Sequence, residues 1–230
     1  MNIDYKEIKE NARHSLEGNW KVAILSTLVY TFISILTDLM PASTDTWNII
    51  LSVISDALFT FGYTVIILHI VRGERADFSE IFTECKRFLK GLGMVLTVGI
   101  YTFLWTLLLI VPGVIATIKY SMTFYIWVDN PNISINEAIH KSVEITEGYK
   151  WDIFRLGLSF IGWSILVSIP SWGVLFWEIH YNGVSFMKAS LLINNYAIHP
   201  IVIISLLGMI FVNTYKNVSM AKLYDKLVSK

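Results

Sequence analysis

The chain has 230 residues, of which 54% are hydrophobic and only 16% are charged, and its formal net charge is zero. An ordinary soluble domain is about one quarter charged, so this chain has too few charges to cover a water-exposed surface. A neutral chain offers no basic face for phosphates, which argues against a nucleic-acid partner. The single cysteine, Cys85, excludes an internal disulfide framework and a cysteine-based zinc cluster.

Six apolar stretches follow one another along the chain and predict an all-α, polytopic transmembrane bundle of about six spans. A spanning helix needs about 20 mostly apolar residues. Pro112 and Gly113 interrupt the longest apolar run and predict a tight turn between the third and fourth spans. The fourth and sixth stretches are short, so they either cross fully or re-enter the membrane. The stretches are Trp20–Met40, Ile49–Val71, Leu92–Val111, Gly113–Val128, Ile153–Ile169 and Ile201–Val212.

The basic residues predict the orientation of these spans. Lys and Arg are concentrated in residues 72–91, 129–151 and 216–230, whereas residues 41–48 contain neither. With six spans, all three basic segments fall on one side of the membrane, and basic loops stay in the cytoplasm. The sequence therefore predicts a multi-pass protein of the bacterial plasma membrane with both termini in the cytoplasm.

The predicted organisation is a single integral membrane domain over residues 1–230. Three cytoplasmic amphipathic helices are expected, each leading into a pair of spans. The last pair is expected to carry an extracytoplasmic insertion. In chain order the segments are the interfacial helix at 1–19, spans one and two at 20–71, the second amphipathic helix at 72–91, spans three and four at 92–128, the third amphipathic helix at 129–151, spans five and six at 152–215 with the insertion at 171–199, and a cytoplasmic tail at 216–230.

The three amphipathic segments share features that predict a threefold parallel repeat. In the first, Ile8, Ala12 and Leu16 lie on one helical face. The third begins with the capping box from Ser134 to Glu137. Each segment reaches a glycine just before its span, which predicts a helix C-cap followed by a turn. The alternative is that any helix leaving a membrane on the inner side needs glycine, serine and an apolar stripe. The apolar face of the second helix is predicted to contain Phe78, Ile81, Phe82, Cys85, Phe88 and Leu89, and that of the third Ile135, Ala138, Ile139 and Val143. The dipeptides predicted to follow a span that returns to the cytoplasm are Phe78-Ser79, Ile133-Ser134 and Val218-Ser219. The three glycines are Gly18, Gly91 and Gly148.

Several strings resemble those of the bacterial integral-membrane family catalogued as domain of unknown function 975. They are Pro112-Gly113-Val114-Ile115, Tyr120-Ser121-Met122, Asp129-Asn130-Pro131-Asn132-Ile133-Ser134, Glu137-Ala138-Ile139 and Gly148-Tyr149-Lys150-Trp151. The chain is similar, more distantly, to the membrane domain of some glycerophosphodiester phosphodiesterases. The resemblance implies a helical plasma-membrane protein, and it brings no activity or catalytic residues with it.

Two ionisable residues are expected inside the membrane. Asp56 and Lys119 each lie about two turns from the predicted outer end of a span, roughly 10 Å deep. A lone charge at that depth costs a few kcal/mol, so we expect the two side chains to form an intramembrane polar pair. The functional interpretation is a polar pocket or ion path. The alternatives are a structural ion pair, or Lys119 extending to the outer interface.

No other residues predict a catalytic or metal site. Glu178, His180 and His199 lack the compact spacing of zinc ligands. Turn chemistry is sufficient to explain the loop Asp129-Asn130-Pro131. No catalytic motif or phosphate loop is present, so we expect neither an enzyme nor a bound cofactor.

Three functions remain open. The leading hypothesis is a non-enzymatic envelope protein that interacts with membrane lipids or a membrane-active peptide, with a role in immunity or stress. The second is a transporter or channel component, for which parallel repeats and a broken helix would be typical. The third is a membrane partner of a separate enzyme or ATPase.

Overall fold

The computed structural model describes residues 3–38, 45–83, 88–181, 183 and 200–229, and every regular element in these ranges is an α-helix. The all-α prediction is confirmed for this part of the chain. Side chains at a few helical positions, Asp56 among them, lie outside the described set. The helices are α1 (Tyr5–Leu16), α2 (Trp20–Asp38), α3 (Asp45–Arg72), α4 (Glu80–Thr83), α5 (Phe88–Leu108), α6 (Ile110–Tyr120), α7 (Thr123–Asp129), α8 (Ile135–Thr146), α9 (Lys150–Tyr181) and α10 (Pro200–Val228).

Four helices in the described ranges are long and apolar enough to cross a membrane. They lie within α3, α5, α9 and α10, and α2 adds a shorter apolar stretch, Trp20–Phe32. Large apolar side chains also point outward from α5 and α9; Leu107, for example, is 69% exposed and Ile165 is 61% exposed. Such surfaces are stable in hydrocarbon and unfavourable in water. The fold is that of a helical membrane protein.

Helices α1 and α8 have the same length and the same kind of start. The Asp4 carboxylate accepts the N–H of Lys6 at 2.8 Å, and the Ser134 hydroxyl accepts the N–H of Glu137 at 3.2 Å. Each side chain thus satisfies one of the free N–H groups of a first helical turn. The residues that α1 buries are Ile8, Ala12 and Leu16, and those that α8 buries are Ala138, Ile139, Ser142 and Thr146.

The turns that follow α1 and α8 also match. Gly18 has a φ of +84° and Gly148 a φ of +82°, a region that glycine adopts without steric cost. In both turns the C-cap glutamate N–H bonds to the carbonyl three residues earlier, from Glu17 to His14 and from Glu147 to Glu144. The two turns lead directly into α2 and α9.

The predicted third turn, at Gly91, is wrong. Gly91 lies inside α5, and its φ is not positive. A Cβ at this position would lie 2.6 Å from the ring of Phe61. Glycine is required there because α5 packs closely against α3, which sequence spacing alone cannot distinguish from a helix end.

The hairpin between α5 and α6 turns three residues earlier than predicted. Leu109 is extended, with φ −165° and ψ 153°, while Pro112 and Gly113 lie in α6. Proline is tolerated in a first helical turn because its missing N–H has no partner there. Gly113 is needed for close packing instead, since a Cβ would lie 2.3 Å from the Thr106 hydroxyl.

The predicted fourth span, Gly113–Val128, is broken in two. Helix α6 ends at Tyr120 and α7 begins at Thr123. The Ser142 hydroxyl of α8 donates to the carbonyl of Lys119 at 2.7 Å and accepts the N–H of Met122 at 3.2 Å. One side chain therefore satisfies backbone groups on both sides of the break.

The last two helices are longer than the predicted spans. Helix α9 continues past Ile169, with Pro170 inside it, to Tyr181, in the range assigned to the insertion. Helix α10 continues through most of residues 216–230, predicted as a tail. Ser219, predicted to follow a span, therefore lies in the middle of α10. Residues 182 and 184–199 lie outside the described residues.

Helices α1, α4 and α8 pack against other helices of the bundle. Helix α4 packs on α3, α8 packs on α6 and α7, and α1 packs on α10. The pairs α2 with α3, α5 with α6, and α9 with α10 are also in contact. The first helix of the chain thus contacts the last, which closes the bundle. The threefold repeat itself stays a prediction.

Candidate functional sites

Four residues meet where α3, α7 and α10 end, at a cluster here called the helix-end junction (Arg72, Asp129, Tyr224 and Asp225). The Arg72 guanidinium donates two hydrogen bonds to Asp129, both 2.8 Å, and two to Asp225, of 3.0 and 3.3 Å. The Tyr224 hydroxyl donates to Asp129 at 2.7 Å. A bidentate arginine–carboxylate pair is among the stronger and more directional polar contacts in proteins. Arg72 therefore holds three helix ends together.

The junction shifts the ionisation of Asp129. Burial alone would raise the pKa of this carboxyl, but the hydrogen bonds from Arg72 and Tyr224 and the charge of Arg72 outweigh burial. The pKa of Asp129 consequently lies below its usual value, and the carboxylate is charged at neutral pH.

Further polar contacts surround the junction. Lys222 donates to the carbonyl of Val71. The Lys226 ammonium lies 2.9 Å from Glu7, which joins α10 to α1. His69 lies 3.0 Å from Glu80, which joins α3 to α4. Together with the junction, these contacts connect the ends of α3, α7 and α10 to the short helices α1 and α4.

A cavity of about 200 Å³, here called the central cavity, lies between α2, α3, α10 and the break between α6 and α7, and its lining is mostly apolar, with Ile67 and Phe124 in it, but carries several polar groups. On α3, Tyr63 of this cavity lies nine residues before Arg72, which is about 13 Å along a helix. The side of the cavity nearest the junction is Tyr125, whose ring stacks on Tyr224 at 5.3 Å. Tyrosine, threonine and serine hydroxyls and one carboxamide supply the polar lining: Tyr30, Thr60, Tyr63, Thr64, Ser121, Tyr125 and Asn217.

One wall of the central cavity is held by a hydrogen-bond network. The Asn217 amide donates to the Tyr63 hydroxyl at 3.0 Å, and the Thr27 hydroxyl lies 3.0 Å from the same oxygen. Thr214, which is fully buried, donates to Thr27 at 2.8 Å. The network joins α2, α3 and α10, so it fixes the Tyr63 hydroxyl in place.

Ser121, at the helix break, lies between two spaces. On one side it lines the central cavity. On the other it lines a crevice of about 360 Å³ between α6, α9 and α10, together with Phe154 and Lys216. The break thus separates an internal polar space from an outward-facing one.

An outward-facing groove of about 610 Å³ lies between α1, α2 and α10 and is here called the α1–α10 groove (Arg13, Trp20, Ile24, Phe211 and Tyr215). The rings of Trp20 and Phe211 stack in parallel at 4.7 Å and form its apolar wall. The Tyr215 hydroxyl donates to the carbonyl of Lys9 at 2.8 Å, which fixes α1 to α10. Arg13 is exposed, and within the described residues no carboxylate forms an ion pair with it.

The family model described as "Protein of unknown function (DUF975)" matches residues 1–118 and 107–230, which together cover the whole chain. The chain belongs to this family. No curated protein and no solved structure matches it. The distant similarity to the membrane domain of glycerophosphodiester phosphodiesterases stays a prediction.

The Asp56–Lys119 pair predicted for this DUF975 protein also stays a prediction, because the Asp56 side chain lies outside the described residues. Lys119 lies in α6 and is half-buried. Its carbonyl is the one bonded to Ser142, so Lys119 lies beside the helix break.

The residues of the predicted loop Asp129-Asn130-Pro131 also form hydrogen bonds to other parts of the chain. Asn130 is the C-cap of α7, and its amide donates to the carbonyl of Ile126 at 3.2 Å. The Pro131 carbonyl accepts from Lys90 at 3.2 Å. Asp129, which sequence reasoning assigned to the turn, is instead the main acceptor of Arg72.

Within the described residues no group of three His, Cys, Asp or Glu side chains is close enough to hold a metal. Glu178 is buried in α9, and the His180 ring stacks on Phe176 at 5.5 Å. His199 lies outside the described residues.

Sequence reasoning missed Arg72, Asp225, Tyr63, Asn217 and Arg13. One signal was available for the junction: Arg72 and Asp129 each directly follow the inner end of an even-numbered predicted span, and Asp225 lies in the predicted tail on the same side. Three helix ends that share a membrane face can bring opposite charges together, although spacing does not specify which charges will pair.

Proposed function

We propose that this DUF975 protein is a non-enzymatic, six-span protein of the bacterial plasma membrane that binds an anionic phospholipid of the cytoplasmic leaflet in the α1–α10 groove. The observation that carries the proposal is the combination of one exposed guanidinium, Arg13, with the apolar wall of Trp20 and Phe211. This arrangement matches an amphiphile that has a negative headgroup and an acyl chain.

Six crossings are supported by the helix-end junction. Arg72 contacts both Asp129 and Asp225, so the ends of α3, α7 and α10 share one face of the bundle. Helices α3 and α10 each follow a contacting partner, α2 or α9, that runs toward the opposite face, and α6, which precedes α7, contacts α5 in the same way. Helices α6 and α7 together form the fourth crossing. The concentration of Lys and Arg beside the junction makes this face cytoplasmic.

The position of α1 supports lipid binding at this face. Helix α1 buries Ile8, Ala12 and Leu16 and carries Arg13 at the groove. A helix with one apolar face and one charged face lies at the headgroup boundary, where it can present a cation to lipid phosphate. A phospholipid in the groove would contact the first and last helices of the bundle together.

The test is a thermal-stability measurement on the full chain purified in a neutral detergent, with added phosphatidylglycerol or phosphatidylcholine. A ligand that binds the folded state raises its Tm, and at equal concentration the tighter ligand raises it more. We expect phosphatidylglycerol to raise the Tm more than phosphatidylcholine does, and Arg13→Ala to remove most of that difference.

Arg155→Ala is the matched control. Arg155 is a second arginine on the bundle; it lies 5.5 Å from the Trp151 ring and does not line the groove. Both substitutions remove one positive charge, so they separate a specific site from general attraction to anionic lipid. Equal effects of the two substitutions, or equal effects of the two lipids, would contradict the proposal.

The same proposal predicts a phenotype at the envelope. Loss of the protein, or Arg13→Ala in the chromosome, should change the sensitivity of cells to membrane-active peptides, while Arg155→Ala should not. If deletion of the protein leaves that sensitivity unchanged, the proposed envelope role is wrong, even if the thermal-stability test shows lipid binding.

A further inference from the structure

We propose that the central cavity is a binding site for a small uncharged solute rich in hydroxyl or amide groups, of the polyol or urea class. The site is independent of the α1–α10 groove and takes a ligand of different chemistry. Four features of the central cavity support this proposal: the polar groups in its lining, the absence of charged residues among the described lining residues, the hydrogen-bonded wall and the position beside a helix break.

The lining groups act as both donors and acceptors. Hydroxyls of Tyr63, Thr64, Ser121 and Tyr125 and the carboxamide of Asn217 converge from three parts of the bundle on one space. Several of these groups already have one partner in the bundle, since Thr64 donates to the carbonyl of Thr60 and Ser121 to that of Ile118, but a hydroxyl or carboxamide oxygen can accept further hydrogen bonds. A solute with several hydroxyl or amide groups can donate to and accept from them at once.

Among the residues that the structure describes, the lining includes no Asp, Glu, Lys, Arg or His; the Asp56 side chain, one turn before Thr60 on α3, lies outside them. A charged ligand would lose its hydration and find no opposite charge in the wall, which costs several kcal/mol inside a membrane bundle. The charges nearest to the Tyr125 side belong to the helix-end junction, where Arg72 and Asp129 are already paired. An uncharged ligand avoids that cost.

The volume limits the size of the solute. Pockets for drug-sized ligands occupy roughly 300–1,000 Å³. The central cavity, at about 200 Å³, is smaller. It accommodates a molecule of the size of glycerol or urea together with water, and a disaccharide is too large for it.

The wall is preorganised for binding. Asn217 and Thr27 fix the Tyr63 hydroxyl, and Thr214 supports Thr27 from behind. A ligand that meets groups already in place does not have to order them. On the opposite side, Ser142 holds the two ends of the helix break, so the backbone at Ser121 keeps its shape.

The experiment measures access to a cysteine placed in the cavity. In a Cys85→Ser background, Thr64→Cys is reacted with methyl methanethiosulfonate, which is uncharged, and with its trimethylammonium-ethyl analogue, which is cationic. We expect the uncharged reagent to react at least about tenfold faster, because a charge is excluded from the site. Ser229→Cys, at an exposed position near the end of α10, is the control and should not discriminate between the reagents in this way.

Occupancy is tested by protection. Glycerol or urea at high concentration should slow the reaction of Thr64→Cys, while sucrose at the same osmolarity should not. Tyr63→Phe removes the hydroxyl that the network positions, and should abolish protection while labelling persists. Tyr101→Phe makes the same chemical change on α5, where Tyr101 is 39% exposed and lies outside the cavity lining, and should keep protection intact.

Three results would overturn the proposal. The first is equal reaction rates for the uncharged and cationic reagents at Thr64→Cys. The second is protection by sucrose equal to that by glycerol and urea. The third is absence of labelling at both Thr64→Cys and Ser121→Cys, the latter made so that a folding defect at one position does not decide the outcome.

Discussion

The turns at Gly18 and Gly148 lie 130 residues apart and have the same geometry, whereas the corresponding glycine of the middle segment, Gly91, serves a different purpose. The first two accept a positive φ so that the chain can leave one helix and enter the next. Gly91 is helical and leaves room for Phe61. The same residue type at the same place in a sequence pattern can thus be required by backbone conformation or by close packing.

The largest loss of stability should come from a glycine of α3 that packs directly against the backbone of α4. In Gly62→Ala the new Cβ would lie 2.4 Å from the carbonyl oxygen of Ile81, where α4 packs on α3. Backbone atoms cannot move aside as a flexible side chain can, so we expect a loss of about 3 kcal/mol or more. Thermal unfolding in detergent would measure it. Gly99→Ala is the control, since nothing lies within 4 Å of its new Cβ and its stability should stay equal or rise slightly.

The next largest loss of stability should come from the helix-end junction, which joins the ends of α3, α7 and α10. Arg72→Met keeps the length of the side chain and leaves Asp129 and Asp225 without their shared cation. The group is partly exposed, so we expect a loss of about 2 kcal/mol, between the values for surface and buried ion pairs. Arg155→Met, measured in the same way, should cost less than half as much. If Arg72→Met and Arg155→Met lose the same amount of stability, the junction does not hold the helix ends together.

Smaller and equal effects are expected at the two matching turns. Gly18→Ala and Gly148→Ala each force a side chain into a positive φ, which costs about 1 kcal/mol. Because nothing lies within 4 Å of either new Cβ, backbone conformation is the main cost. The double variant should lose the sum of the two, as distant sites do. A much larger loss at one turn than at the other would show that they are not equivalent.

The smallest effect concerns pH. The lowered pKa of Asp129 stabilises the folded state above the usual aspartate pKa of about 4, and this contribution disappears as the pH falls through the lower folded value. The Tm should therefore fall more steeply with acidification in the natural protein than in Asp129→Asn. Identical pH profiles for the two proteins would rule out this role for Asp129.

Local features of the fold were the ones that could be predicted from the sequence. The buried face of Ile8, Ala12 and Leu16 and the cap at Ser134 follow from helical periodicity and from hydrogen bonding within a few residues. The family resemblance was also correct. These depend on contacts that are close in the sequence.

Features that depend on packing between distant helices could not be predicted in this way. The turn predicted at Pro112 lies at Leu109, because proline fits the first turn of a helix as well as it ends one. The break after Tyr120 depends on Ser142, more than twenty residues away. The partners of Arg72 are 57 and 153 residues distant, and no local pattern specifies them.

The contact between α1 and α10 has a consequence for how the protein is made. Of the helices described, α10 is synthesised after all the others, so its contact with α1 can form only once α10 has left the ribosome exit tunnel. Until then α1 can pack only on its other partners, α3 and α9. A chain truncated before Pro200 should therefore hold its first helix less firmly.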